Sequence, residues 1–198
     1  MRLPFYSRRR RSPAPQPRSR VARWLRNDSG TAAIEFAIVA VPFFMFVLGT
    51  IGVGLYFFTT TSLEHGVEGA ARKIRTGQAQ KGNMTVGEFK QLVCDEAGSY
   101  IDCSKLRVHL QHASSWSGID PQACVGSDSS MAASTGDSGD TLYDYTGGAS
   151  QVVLVTLCYE WDLAKSFAFL KLGAGADGSG AAIIQAATAF RVEPYSSS

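Results

Sequence analysis

The segment GTAAIEFAIVAVPFFMFVLGTIGVGLYFF, residues 30–58, decides the fold because it is almost entirely uncharged. The 23 residues from Phe36 to Phe58 carry no charge, and at ~1.5 Å per residue they form about 35 Å of helix, enough to cross a bilayer and too long for a cleaved secretory signal. Pro42 should bend this helix. Glu35, directly before the run, would cost ~2.5 to 3.5 kcal/mol near a bilayer centre. Such a carboxylate needs a functional explanation.

The helical pattern continues beyond the apolar run. Leu63, Val67 and Ile74 extend an apolar stripe at helical spacing, and Gly77 is a natural terminator. The sequence therefore predicts one helix of about 45 residues, from Thr31 to Thr76. We divide the chain into a leader (1–30), a transmembrane helix (31–58), a helical stem (59–77) and an outer domain (78–198) with a flexible loop (113–150).

Charge is distributed unequally along the chain. The formal net charge is +2, but the first 26 residues contain nine arginines and no acid, whereas residues 59–198 contain ten basic and fifteen acidic residues. Basic residues before a span stay in the cytoplasm, so we expect the N-terminus inside and the C-terminus outside. Nucleic-acid binding and twin-arginine export are alternatives for the leader. Its prolines and its lack of an aromatic platform favour a role in topology and lipid contact.

The outer domain combines helix and strand signals. Thr85 to Glu88 has the form of a capping box and predicts a second helix from about Val86 to Tyr100. Alternating residues predict a half-buried strand at 106–111, and further strands are expected at 152–159 and 187–192. Residues 163–172 form either a short helix or an apolar surface element. The predicted fold class is α+β, with the long helix packed on a small antiparallel sheet and a second helix.

All four cysteines lie on the expected outer side, where an oxidising compartment allows them to pair. They permit three connectivities. We favour Cys94 with Cys103, which closes a short loop, and Cys124 with Cys158, which ties a long loop to a strand. A zinc site is the alternative, but the spacings match no common set of zinc ligands.

Two weak signals for other chemistry are present. Ser138 lies in a Gly-Asp-Ser-Gly motif resembling that of chymotrypsin-like proteases, but the outer domain is too small for two β-barrels. Aspartates at 128, 137, 140 and 144 could gather around calcium, although their spacing fits no EF-hand. His109 and His112 point to opposite faces of a strand, which is unsuitable for a shared metal. We therefore expect no enzyme activity, metal or other cofactor.

One arrangement explains Gly30 and Glu35 together. Cleavage after Gly30 would remove the leader and leave Thr31 as a new amino terminus. Glu35 of one subunit could then pair with the amine of a neighbour, since a buried ammonium and a buried carboxylate compensate one another. Lateral assembly of the spans would then require a specific axial stagger.

This arrangement resembles that of type IV prepilins. Two stretches of the chain are similar to the TadE-like pseudopilins of the tight-adherence (Flp pilus) system. They are Gly30 to Pro42 and Glu68-Gly69-Ala70-Ala71-Arg72. The resemblance extends over residues 26–80. It implies a pilin-like fold, cleavage between Gly30 and Thr31, and a role for Glu35 and Phe36 in assembly.

The resemblance also implies partners and a location. The partners would be a prepilin peptidase, other pseudopilins, the major Flp pilin and an inner-membrane assembly platform, with no nucleic acid among them. The chain would cross the bacterial inner membrane once, with a periplasmic domain, and could enter the pilus. Because the outer domain is larger than that of a major Flp pilin, a minor subunit is expected. The alternative is an uncleaved single-pass anchor that carries an extracytoplasmic binding or structural module.

Overall fold

A computed structural model of the chain describes residues 30–126, 130–172 and 180–195. Two compact units are distinguished, residues 1–45 and residues 46–198. Helix α1, Thr31–Arg75, contributes residues to both. The helical backbone continues through Pro42, and the helix ends before Gly77, which has a φ of 74°. The predicted long helix is confirmed.

Three further α-helices follow in the described part of the chain. Helix α2 is the single turn Gln78–Lys81, α3 is Val86–Ala97, and α4 is the single turn Tyr143–Thr146. The capping box predicted at the start of α3 is present: Glu88 N donates to Thr85 Oγ1 at 3.1 Å, and Thr85 N donates to Glu88 Oε2 at 2.8 Å. Helix α3 ends three residues before the predicted Tyr100 because Gly98 turns the chain away, with a φ of 110°.

The sheet has three antiparallel strands in the order β1, β2, β3, which are Leu106–Ala113, Val152–Trp161 and Ala182–Arg191. The register places Leu106 of β1 opposite Tyr159 of β2, and Trp161 of β2 opposite Ala182 of β3. Strand β3 was predicted to begin at residue 187 and instead begins five residues earlier, because it pairs with the whole length of β2. The α+β fold class is confirmed.

One face of the sheet packs on α1 and α3 to form the core. Leu63, Val67 and Ile74 of α1 and Phe89 and Val93 of α3 are almost fully buried. They belong to one cluster with side chains from all three strands.

The other face of the sheet is partly covered as well. Nine of the ten residues of β2 are buried, and Glu160 is the exception. Thr135 N donates to Val108 O at 2.9 Å, and Leu110 N donates to Thr135 Oγ1 at 3.1 Å, so part of the 113–150 loop lies along the free edge of β1. The half-buried pattern predicted for β1 is therefore wrong at His109, which is only 3% exposed.

Segment Asp162–Leu170 follows β2 as two 3₁₀ turns separated at Phe167. We call it the aromatic segment. The sequence left its form open, between a short helix and an apolar surface element. The structure shows a 3₁₀ element with an exposed apolar side, since Leu163 and Phe169 are each 43% exposed.

Candidate functional site

The candidate site lies at the start of α1. Gly30 is exposed immediately before the first α-helical residue, Thr31. A Cβ added to Gly30 would meet no atom within 4 Å. The peptide bond between Gly30 and Thr31 is therefore at the end of a helix, and none of the described residues packs around Gly30 in a way that explains the choice of glycine.

Glu35 is the fifth residue of α1 and is exposed. Its neighbours Ile34 and Phe36 are 65% and 70% exposed. Within the described parts of the chain, no hydrogen bond or ion pair reaches the Glu35 carboxylate. Among the described residues, Glu35 is thus a carboxylate without a partner on a part of the helix surface that is otherwise apolar.

The apolar surface around Glu35 extends well along the helix. Among the described residues, α1 is the one helix long and apolar enough to cross a membrane, with a mean hydropathy of 2.4 over its most apolar window. Large apolar side chains in this part of α1 are exposed to between 46% and 76%: Ile38, Val39, Val41, Phe43, Phe44, Met45, Phe46 and Leu48. An apolar surface of this extent needs lipid or other helices to cover it.

The cysteines lie in two pairs at disulfide distance, the pairs that the sequence analysis favours. The Cα atoms are 6.0 Å apart in Cys94–Cys103 and 5.4 Å apart in Cys124–Cys158. The first pair joins the end of α3 to the turn before β1. The second ties the long loop to β2, on the face of the sheet opposite α1.

The residues that could have indicated other chemistry have local structural roles. Asp140 accepts hydrogen bonds from Asp137 N at 2.8 Å and from the Tyr145 hydroxyl at 2.7 Å, and these donors lower the pKa of Asp140. Asp144 accepts from Thr141 Oγ1 at 2.7 Å. Asp128 lies outside the described residues. The described residues contain no cluster of three or more potential metal ligands, and none of their hydrogen bonds joins Ser138 to a histidine.

Small residues on α1 allow close packing in the stem, which the sequence analysis did not anticipate. A Cβ at Gly66 would lie 2.8 Å from Val93 O and 2.8 Å from Ala97 Cβ of α3. Ala70 and Ala71 are buried in the same stem. The signal was available as small residues recurring at helical spacing, but their partner could not be identified from local sequence.

Comparison with protein families gives a match to the same part of the chain. The family model described as "TadE-like protein" matches residues 30–72. Neither the comparison with curated proteins nor that with solved structures found a match. The matched segment begins at Gly30, includes Glu35 and the apolar run, and ends in the small-residue part of the stem. Residues 30–72 of this chain are therefore similar to TadE-like proteins, a family associated with the Tad pilus system.

Proposed function

We propose that this chain is a minor pseudopilin of a Tad (Flp-type) pilus and that a prepilin peptidase cleaves it after Gly30. The main support for this proposal is the family match at residues 30–72, which begins one residue before α1. The exposure of Gly30 supports it, because the bond to be cut must be accessible to the peptidase.

Cleavage gives the Glu35 carboxylate a partner. The new amine of Thr31 carries a positive charge into the same apolar environment, and each buried ion costs several kcal/mol unless it is paired. Pairing within one helix would leave the neighbouring subunits unlinked. Pairing between subunits makes the charge compensation depend on assembly, and it fixes the axial offset of adjacent helices.

We infer the orientation from charge. The nine arginines of the leader stay in the cytoplasm, α1 anchors the chain in the inner membrane, and the α+β domain lies in the periplasm. That compartment is oxidising, which fits the two cysteine pairs at disulfide distance. The partners are the peptidase, the major pilin, other pseudopilins and the assembly platform.

Substitution of Glu35 tests the assembly step. Glu35→Ala should be cleaved normally and should abolish piliation, since the amine of the neighbour loses its partner. Glu64→Ala is the matched control, because Glu64 is an exposed glutamate in the stem of the same helix. Piliation is counted by electron microscopy in a strain that lacks the chromosomal copy, and cleavage is followed by immunoblot.

Two results would contradict this account. Normal piliation with Glu35→Ala would refute the pairing role of the carboxylate. Equal loss of pili with Glu64→Ala would show that any charge change in α1 impairs the protein, without a specific role for Glu35.

A further inference from the structure

The aromatic segment packs directly on α1 at two glycines. A Cβ at Gly52 would lie 2.8 Å from Leu170 Cδ1 and 3.0 Å from the ring of Phe167, and a Cβ at Gly49 would lie 3.4 Å from Leu170 Cδ2. Both glycines are buried, in a helix stretch that is otherwise mostly exposed. The absence of side chains at Gly49 and Gly52 therefore lets a segment of the folded domain contact the outer half of the apolar run.

Two large apolar side chains of this segment are only partly covered, although Phe169 Cε2 also lies 3.9 Å from where a Cβ at Gly49 would be. Leu163 and Phe169 are each 43% exposed. Lys165 Nζ bonds Asp162 Oδ1 at 2.6 Å, so charged groups lie beside the apolar ones. Apolar side chains next to a lysine are typical of an element at a lipid–water interface. There the methylene chain of the lysine lies along the apolar region and its ammonium group contacts the lipid headgroups.

The length of the apolar helix places the segment at that interface. Residues 31–58 would extend about 42 Å at ~1.5 Å per residue, whereas the hydrocarbon core is about 30 Å thick. The last turns before Thr59 therefore leave the hydrocarbon. Aromatic side chains gather at this level: Tyr56 packs on Trp161 with ring centroids 5.8 Å apart, and Phe58 packs on Tyr100 at 5.1 Å. Aromatic belts mark membrane interfaces.

Exposure around the helix indicates lipid rather than a single protein partner. Between Phe46 and Phe58, large apolar side chains are exposed on every side of α1 except the glycine side: Phe46, Leu48, Ile51, Val53, Leu55, Phe57 and Phe58. One docked protein covers one face of a helix, whereas lipid contacts all free faces. The aromatic segment fills the remaining side, so its exposed residues adjoin the same apolar surface.

We propose that the aromatic segment, Asp162–Leu170, lies in the outer lipid–water interface, with Leu163 and Phe169 in contact with acyl chains near the headgroups. This rests on the proposed anchoring by α1 and extends it, since the domain itself touches the bilayer. The contact fixes the domain against the membrane surface before the subunit is extracted into a fibre.

Photocrosslinking in the full-length chain tests the proposal. Phe169→p-benzoylphenylalanine is made in protein reconstituted into vesicles of phosphatidylethanolamine and phosphatidylglycerol that carry alkyne-tagged acyl chains. The same photoprobe at Phe46, which is 76% exposed on α1, is the positive control, and at Tyr143, 53% exposed in the domain, the negative control. After irradiation, tagged lipid on the protein is quantified by mass spectrometry, and intact cysteine pairs are required of each variant.

We expect lipid adducts at position 169 in a yield comparable to position 46 and severalfold above position 143. Adducts at 46 with only the background yield at 169 would overturn the interfacial placement and leave the anchor intact. An adduct at 169 between two protein chains, without lipid, would overturn it in favour of a second copy. No lipid adduct at 46 would refute the membrane anchor itself.

Discussion

At the scale of single residues, Glu35 and His109 are two polar groups for which the described residues supply no hydrogen-bond or ion-pair partner to the carboxylate or to Nε2. Glu35 is exposed on an apolar helix, and an assembled neighbour is the partner proposed for it. His109 is buried in β1, and its Nε2 atom has no hydrogen-bond partner. Burial lowers the pKa of His109 below its ordinary value because a charged imidazolium would lose its hydration. The first group concerns assembly and the second concerns stability.

The burial of His109 predicts a pH dependence of stability. When the folded pKa of a base is lowered, the unfolded chain binds the proton first, so stability is present above the unfolded pKa of about 6.5 and falls as the pH drops below it. His109→Gln should flatten this dependence between about pH 7 and about pH 5. His112→Gln, at an exposed position of the same strand, should retain it.

Urea denaturation of the detergent-solubilised protein at several pH values measures this effect. The slope of unfolding free energy against pH is the relevant quantity, since His109→Gln can also change the absolute stability. An unchanged slope in that variant would show that another group causes the acid sensitivity.

At the scale of elements, α1 performs different tasks along its length. Its first part presents an exposed apolar surface, Gly49 and Gly52 accept the aromatic segment, and the stem packs on α3 and the sheet. The glycine at position 66 brings α1 and α3 together, because any side chain there meets the Val93 carbonyl. Close helix contacts of this kind depend on small residues.

Gly66→Ala should destabilise the domain by ~1 to 3 kcal/mol, since the added methyl group overpacks a contact with backbone. Gly54→Ala is the matched control, because a Cβ at Gly54 meets nothing within 4 Å. Alanine is also the better helix former, so Gly54→Ala should be neutral or slightly stabilising. Thermal unfolding in detergent, followed by circular dichroism, compares the two. Equal melting temperatures would contradict the packing described for Gly66.

Local signals account for what the sequence predicted correctly. Three elements were predicted from patterns that span only a few neighbouring residues, and all three are present. The patterns are the helical spacing of apolar residues in α1, the capping box at Thr85 and the apolar run of β2. Gly30 and Glu35 could be selected as a candidate site for the same reason. The early start of β3 and the burial of His109 could not be predicted, because they depend on strand pairing and on a loop distant in sequence.

At the scale of the whole molecule, the sequence separates into parts of different charge and apolar content. The leader is strongly basic, α1 begins with an apolar surface, and the residues after Phe58 have a net acidic charge and hold all four cysteines. A chain that crosses a membrane once has this order of charge and apolar content. Removal of the leader would convert an anchored precursor into a subunit able to assemble.

Cleavage after Gly30 is the central claim, and the intact mass of the membrane-extracted protein tests it most directly. In cells that contain the prepilin peptidase, we expect a mass lower by that of residues 1–30, with Thr31 as the amino-terminal residue. Gly30→Leu should remain full length. Since none of the described residues packs against Gly30, that result would show loss of recognition by the peptidase rather than misfolding. A full-length mass of the unsubstituted protein in those cells would contradict the account.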